Sequence, residues 1–177
     1  WLTAQLPLET ARALGRAAGR TYYRFDPRAR RVAERNIALA YPELSAAEQQ
    51  ALVIANFEET GALITEMGHV WAGPWSSTAA LVHEVEGDDA LRQALDAGRG
   101  VIVLGPHLGN WEVLGLHLAT LGDMVALFEP PKIAELGALV QQARERSGGR
   151  LVPTNPRGIA ALVQSVRAGG ISGILPD

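Results

Sequence analysis

The feature that most constrains this chain is the rhythm of its second half. Short strand-like runs at Val101–Leu104, Met124–Phe128, Leu151 with Val152, and residues 171–175 alternate with helical patterns over Trp111–Leu121, 133–146 and 157–168. Strands that alternate with such helices build an α/β domain with a largely parallel sheet, because each parallel pair needs a crossover. Val101–Leu104 is apolar throughout and reads as a strand buried on both faces. Residues 81–85 read as a further strand. Residues 88–97 read as a helix, with Asp88 as N-cap and Gly98 as stop.

The first half is helical. Over residues 1–25, Leu2, Leu6, Leu14, Ala18 and Tyr22 recur at helical spacing, while Arg12, Arg16, Arg20 and Arg24 recur every fourth residue. Pro7 suits an early helical turn. A basic stripe beside an apolar one fits a helix lying in an anionic membrane surface; it also fits the solvated face of a core-packed helix. Residues 28–40 continue the basic character through Arg28, Arg30, Arg31 and Arg35, until Tyr41-Pro42-Glu43 breaks the pattern. Ser45-Ala46-Ala47-Glu48 has the form of a capping box. It opens a long helix to about Trp71, with Leu52, Ala55, Phe57, Leu63 and Met67 as core positions and Gly73-Pro74 as terminator. The expected organisation is a helical, membrane-associating part over residues 1–75 and an α/β part over 76–177, packed as one unit.

At 177 residues, 47% hydrophobic and 20% charged, the chain can bury a sizeable core and is not disordered. A net charge of -3 gives no global pull toward nucleic acid. The absence of cysteine excludes a disulfide scaffold, a zinc–thiolate site and a cysteine nucleophile together. No run of apolar residues is long enough for a transmembrane helix. The sequence starts at Trp1 and stops at Asp177 directly after a strand-like run, so it reads as a fragment missing residues at both ends.

In parallel α/β sheets, ligands sit beyond the carboxyl ends of the strands. The turn Gly105-Pro106-His107-Leu108-Gly109-Asn110 leaves one such strand, and Glu112 falls in the first turn of the next helix. On one regular helix a five-residue step would set His107 and Glu112 about 140° apart. With the histidine in the turn, the chain can bend so that the two meet. The carboxylate could then orient the imidazole and stabilise it as it takes a proton. A turn histidine near a glutamate is also a common structural pair. Asn110 can cap the helix. The five-residue steps from His107 to Glu112 to His117 do not suit a metal site on one helix face.

His-Leu-Gly-Asn-Trp-Glu over residues 107–112 resembles the His-x4-Glu motif of the lysophospholipid acyltransferase superfamily. The closest resemblance is to the lipid A biosynthesis acyltransferases. The stretches 36–44, Gly98-Arg99-Gly100, Leu151-Val152-Pro153 and Ile174-Leu175-Pro176-Asp177 fit the same pattern. The resemblance implies a glycerolipid acyltransferase-like α/β fold, truncated here at its C-terminus. It also implies a fatty acyl chain moving from acyl carrier protein to a hydroxyl of a lipid A precursor. His107 would be the general base, Glu112 its acidic partner and Asp177 a supporting acid. Asn110, Arg144, Arg146 and Arg157 would bind substrate, the arginines through its phosphates. Each arginine can equally be a solvated helix-end residue, and Asn110 a structural one. No cofactor is implied. The site of action would be the cytoplasmic face of a bacterial inner membrane. A different glycolipid acceptor, such as a phosphatidylinositol mannoside, and a catalytically silent membrane-binding homologue are the alternatives.

Overall fold

The computed structural model describes residues 2–176 and shows an α/β chain in which four strands form one parallel sheet. The chain divides into two compact units, residues up to His69 and residues from Val70 on.

After a 3-10 turn at Thr3–Gln5, the first unit holds α1 (Leu8–Phe25), α2 (Pro27–Ala40) and most of α3 (Ala46–Ala72). Their starts follow local chemistry. Asp26 accepts from the amides of Arg28 and Ala29 at 2.9 Å each, with Pro27 in the first helical turn. The Ser45–Glu48 capping box forms as expected: the Ser45 amide donates to Glu48 at 2.8 Å and the Glu48 amide to Ser45 Oγ at 3.4 Å.

The buried face of α1 is not the expected one. Leu14 and Tyr22 are 55% and 54% exposed, whereas Ala11, Gly15 and Gly19 are buried. A Cβ on Gly15 would overlap the carbonyl oxygen of Gly61, and one on Gly19 that of Phe57. Small residues add nothing to an apolar periodicity, yet they let two backbones touch. Here that contact decides the helix's rotation. The arginine stripe follows from it: Arg12, Arg16 and Arg20 form ion pairs with Glu66, Glu59 and Glu58 of α3 at 3.0, 2.9 and 2.9 Å. On α3 the buried side chains are Val53, Phe57, Ala62 and Val70. Leu52, Leu63 and Met67 are half-buried and Ala55 is exposed, against expectation. Among the described residues, no helix is long and apolar enough to cross a membrane.

The second unit runs through α4 (Trp75–Ala79), α5 (Asp88–Asp96), β1 (Val101–Leu104), α6 (Trp111–Leu121), β2 (Met124–Phe128), α7 (Ala134–Glu145), β3 (Arg150–Pro153), α8 (Pro156–Arg167) and β4 (Ile171–Ile174). Residues 81–85 form no strand. They are exposed and no ladder includes them, and a strand exists only where a neighbour completes its hydrogen bonds. Asp88 lies inside the first turn of α5, and the N-cap is Gly87 at φ 86°. The strand order is β1-β4-β2-β3, which leaves β1 at the edge instead of buried on both faces: Ile102 is 51% and Leu104 64% exposed.

The core lies on both sides of the two central strands. Leu118, Ala119, Met124 and Ile171 pack together with Leu91 and Leu95 of α5 on one side. Val125, Val152 and Leu162 of α8 pack on the other. Alternate residues of β2 thus serve opposite faces, as the pleat requires. Asn155 caps α8 by accepting from Arg157 and Gly158, with Pro156 in the first turn.

Candidate active site

The carboxyl ends of the parallel strands β1, β4 and β2 lie along one edge of the sheet, and the turn that holds His107 leaves β1 there. The Gly105 amide extends the β1–β4 ladder by donating to the Ile174 carbonyl at 2.9 Å. The chain then turns sharply, with the Leu108 amide bonded to the Pro106 carbonyl at 2.6 Å and Gly109 at φ 60°. A left-handed residue at this point is why glycine stands before the helix. His107 is exposed on this turn, its ring edge-on to Trp111 with centroids 4.8 Å apart. Asn110 occupies the N-cap position of α6 but its side chain makes no capping hydrogen bond, contrary to expectation.

Glu112 sits in the first turn of α6 and is only 4% exposed. Its carboxylate receives a two-point contact from Arg144, Nε to Oε2 at 3.0 Å and Nη2 to Oε1 at 2.5 Å. A carboxylate this buried requires such a partner, and the planar guanidinium supplies two parallel donors. Arg144 also stands over the Phe128 ring, 5.4 Å from its centroid. Expected as a phosphate ligand, Arg144 is thus first of all the partner of Glu112. Phe128 was not singled out from sequence, though its place as the last residue of β2 marked it as near the site.

The other expected residues fare differently. Arg146 donates to the main-chain carbonyls of Trp71 and Val70 at 3.0 and 2.5 Å. It caps a helix C-terminus, and burial lowers its pKa. Arg157 is exposed in the first turn of α8, where the helix dipole disfavours a cation, so the dipole does not account for it. Asp177 lies outside the described residues. His117 turns away to Asp88, Nε2 to Oδ1 at 3.0 Å, and this hydrogen bond is the main cause holding the Asp88 carboxyl below the usual carboxylate range.

Beside the turn lies a cavity of about 300 Å³ with mostly apolar walls. Trp111, Glu112 and Arg144 line it, along with Leu118, Met124 and Leu151 from α6 and the strands. The buried ion pair of Glu112 and Arg144 is among its walls.

The sequence matches the family described as bacterial lipid A biosynthesis acyltransferase over residues 1–177. The chain belongs to this family. It is 28% identical over 177 residues to the lipid A biosynthesis palmitoleoyltransferase of Escherichia coli (strain K12), covering 100% of this chain and 57% of that one. It is 25% identical over the same length to the lauroyltransferase of that organism, with the same coverage. To the myristoyltransferase it is 30% identical over 166 residues, 93% of this chain and 49% of the relative. The chain therefore spans about half the length of these relatives.

Proposed function

We propose that this chain carries the base and the acyl-chain slot of an O-acyltransferase, which moves a fatty acyl group from acyl carrier protein to a hydroxyl of a lipid A precursor. The observation that carries the reading is the apolar cavity lined by Trp111 and Glu112 beside the exposed His107. In this reading, the acceptor hydroxyl gives its proton to the His107 imidazole as its oxygen attacks the thioester carbonyl. The tetrahedral intermediate collapses, the carbon–sulfur bond breaks, and the thiolate takes the proton back from the imidazolium. The carboxylate of Glu112, held by Arg144, stabilises the imidazolium. Asn110 and Asp177 support the site, and Arg157 is the exposed arginine best suited to a phosphate of the acceptor.

The proposed site of action is an anionic membrane surface, the cytoplasmic face of a bacterial inner membrane. Arg12, Arg16 and Arg20 are engaged by α3, and among the described residues the exposed Arg24, Arg28, Arg31 and Arg35, with the exposed Phe25, Val32 and Leu39, are the groups that would meet headgroups.

The test is an acceptor panel with the intact protein and an acyl carrier protein thioester. Acylation of a lipid A precursor supports the reading. Acylation of a mannosylated phosphoinositide alone would move the acceptor. Vesicle binding with no transfer to any acceptor would overturn catalysis.

A further inference from the structure

Four glycines line the cavity: Gly105, Gly115, Gly149 and Gly173. Three of them are packed. A Cβ on Gly105 would stand 3.0 Å from Leu114 Cδ2, one on Gly149 3.3 Å from the Met124 sulfur, and one on Gly173 3.4 Å from Met124 Cε. Gly115 differs, because a Cβ there meets nothing within 4 Å. The empty space beside it is the cavity itself. Gly115 also lies in the middle of α6, where glycine weakens a helix relative to alanine. Neither close packing nor a left-handed conformation explains it, since its φ is not positive.

Its place along the helix has a consequence. Gly115 follows Glu112 by three residues, about 4.5 Å further along the axis, and Leu118 follows by as much again. Each is a one-turn neighbour of the next, Glu112 and Leu118 lying about 120° apart around the axis, and all three line the cavity. A chain entering beside Glu112 therefore passes Gly115 before it meets Leu118. The cavity of about 300 Å³ has the volume of roughly ten water-sized groups at about 30 Å³ each, and a methylene is of similar size. That is room for an acyl tail of medium length.

We propose that Gly115 is a specificity-determining position, whose missing side chain keeps the cavity open past Glu112 and so sets the longest acyl chain accepted. The inference rests on the acyl-transfer reading. In a hydrophobic pocket one methylene is worth roughly 10–200-fold in discrimination, so one added side chain is enough to move the preference.

The experiment measures kcat/KM for acyl carrier protein thioesters from octanoyl to palmitoyl, with the intact protein and its Gly115→Ala and Gly115→Leu variants. The alanine variant needs no rearrangement and controls for folding through its unchanged or raised Tm. The expected result is a graded shift to shorter chains. Gly115→Leu should lose at least about tenfold on the chain wild type prefers, with the shorter donors kept within about twofold. An unchanged chain-length profile in both folded variants, or an equal loss at every length, overturns the role of Gly115 alone. No transfer by wild type with any donor overturns the acyl-transfer reading and this inference with it.

Discussion

Each of the two units is held together internally, and by opposite means. In the first, α1 meets α3 through Ala11, Gly15 and Gly19 against Gly61 and Phe57, with ion pairs along the flank. In the second, branched and long aliphatic side chains such as Val125, Leu116 and Ile171 fill the space around the sheet. The first interface is specified by what its residues lack, the second by what they supply. Added atoms should damage the first unit, and removed atoms the second.

The largest effect expected is at Gly19. Its missing Cβ would fall on the Phe57 carbonyl, which is backbone and cannot swing away. Gly19→Ala is expected to cost about 3 kcal/mol or more, despite the better helix propensity of alanine. Ile171→Ala should cost about 2–5 kcal/mol through the cavity it leaves. Denaturant titration of both variants checks the pair. A neutral Gly19→Ala would break the contrast, because it would show that the two helices do not touch there.

Of comparable size is the effect at the buried pair. Arg144→Ala strands Glu112 and should destabilise by about 3–5 kcal/mol, the range for an uncompensated buried charge. The same cut at Arg16, whose partner Glu59 faces water, should leave thermal unfolding unchanged. Equal effects would mean that burial does not separate the two kinds of pair.

Smallest is a pH effect in the first unit. The Ala29 amide, with help from the Tyr22 hydroxyl and the Arg28 amide, holds the Asp26 carboxyl below the usual carboxylate range. A lowered folded pKa means that Asp26 binds its proton more readily when unfolded. Its contribution is therefore present above the ordinary carboxylate pKa of about 3.9 and is lost as pH falls through the lower folded value. Asp26→Asn should remove that component of the acid response. Titration of the Asp26 carboxyl by NMR at or above its ordinary pKa would contradict the capping geometry.

The contrast also explains what could be read from the chain. β1 and β2 announce themselves as short apolar runs, β4 by its place after a helix although Ser172 and Gly173 interrupt it, and the Ser45–Glu48 box is visible because both partners lie within one turn. The buried face of α1 is not legible in the sequence because Gly15 and Gly19 carry no apolar signal, while the more conspicuous Leu14 and Tyr22 face solvent. Residues 81–85 have strand-like composition but no partner strand, and pairing is not a local property. At the candidate site, spacing and resemblance single out His107 and Glu112, and the structure shows an exposed turn histidine and a buried glutamate there. The hold of Arg144 on Glu112 spans 32 residues of sequence and depends on how α7 returns to α6, so no local pattern encodes it.

The claim that matters most is that His107 is the base for acyl transfer. The direct measurement is turnover of an acyl carrier protein thioester with a lipid A precursor by the intact protein and its His107→Ala variant, with the fold verified by an unchanged Tm. A loss of about 10²–10⁴-fold in kcat, the usual worth of a positioned base, is the predicted result. Turnover close to wild type in the folded variant would contradict it.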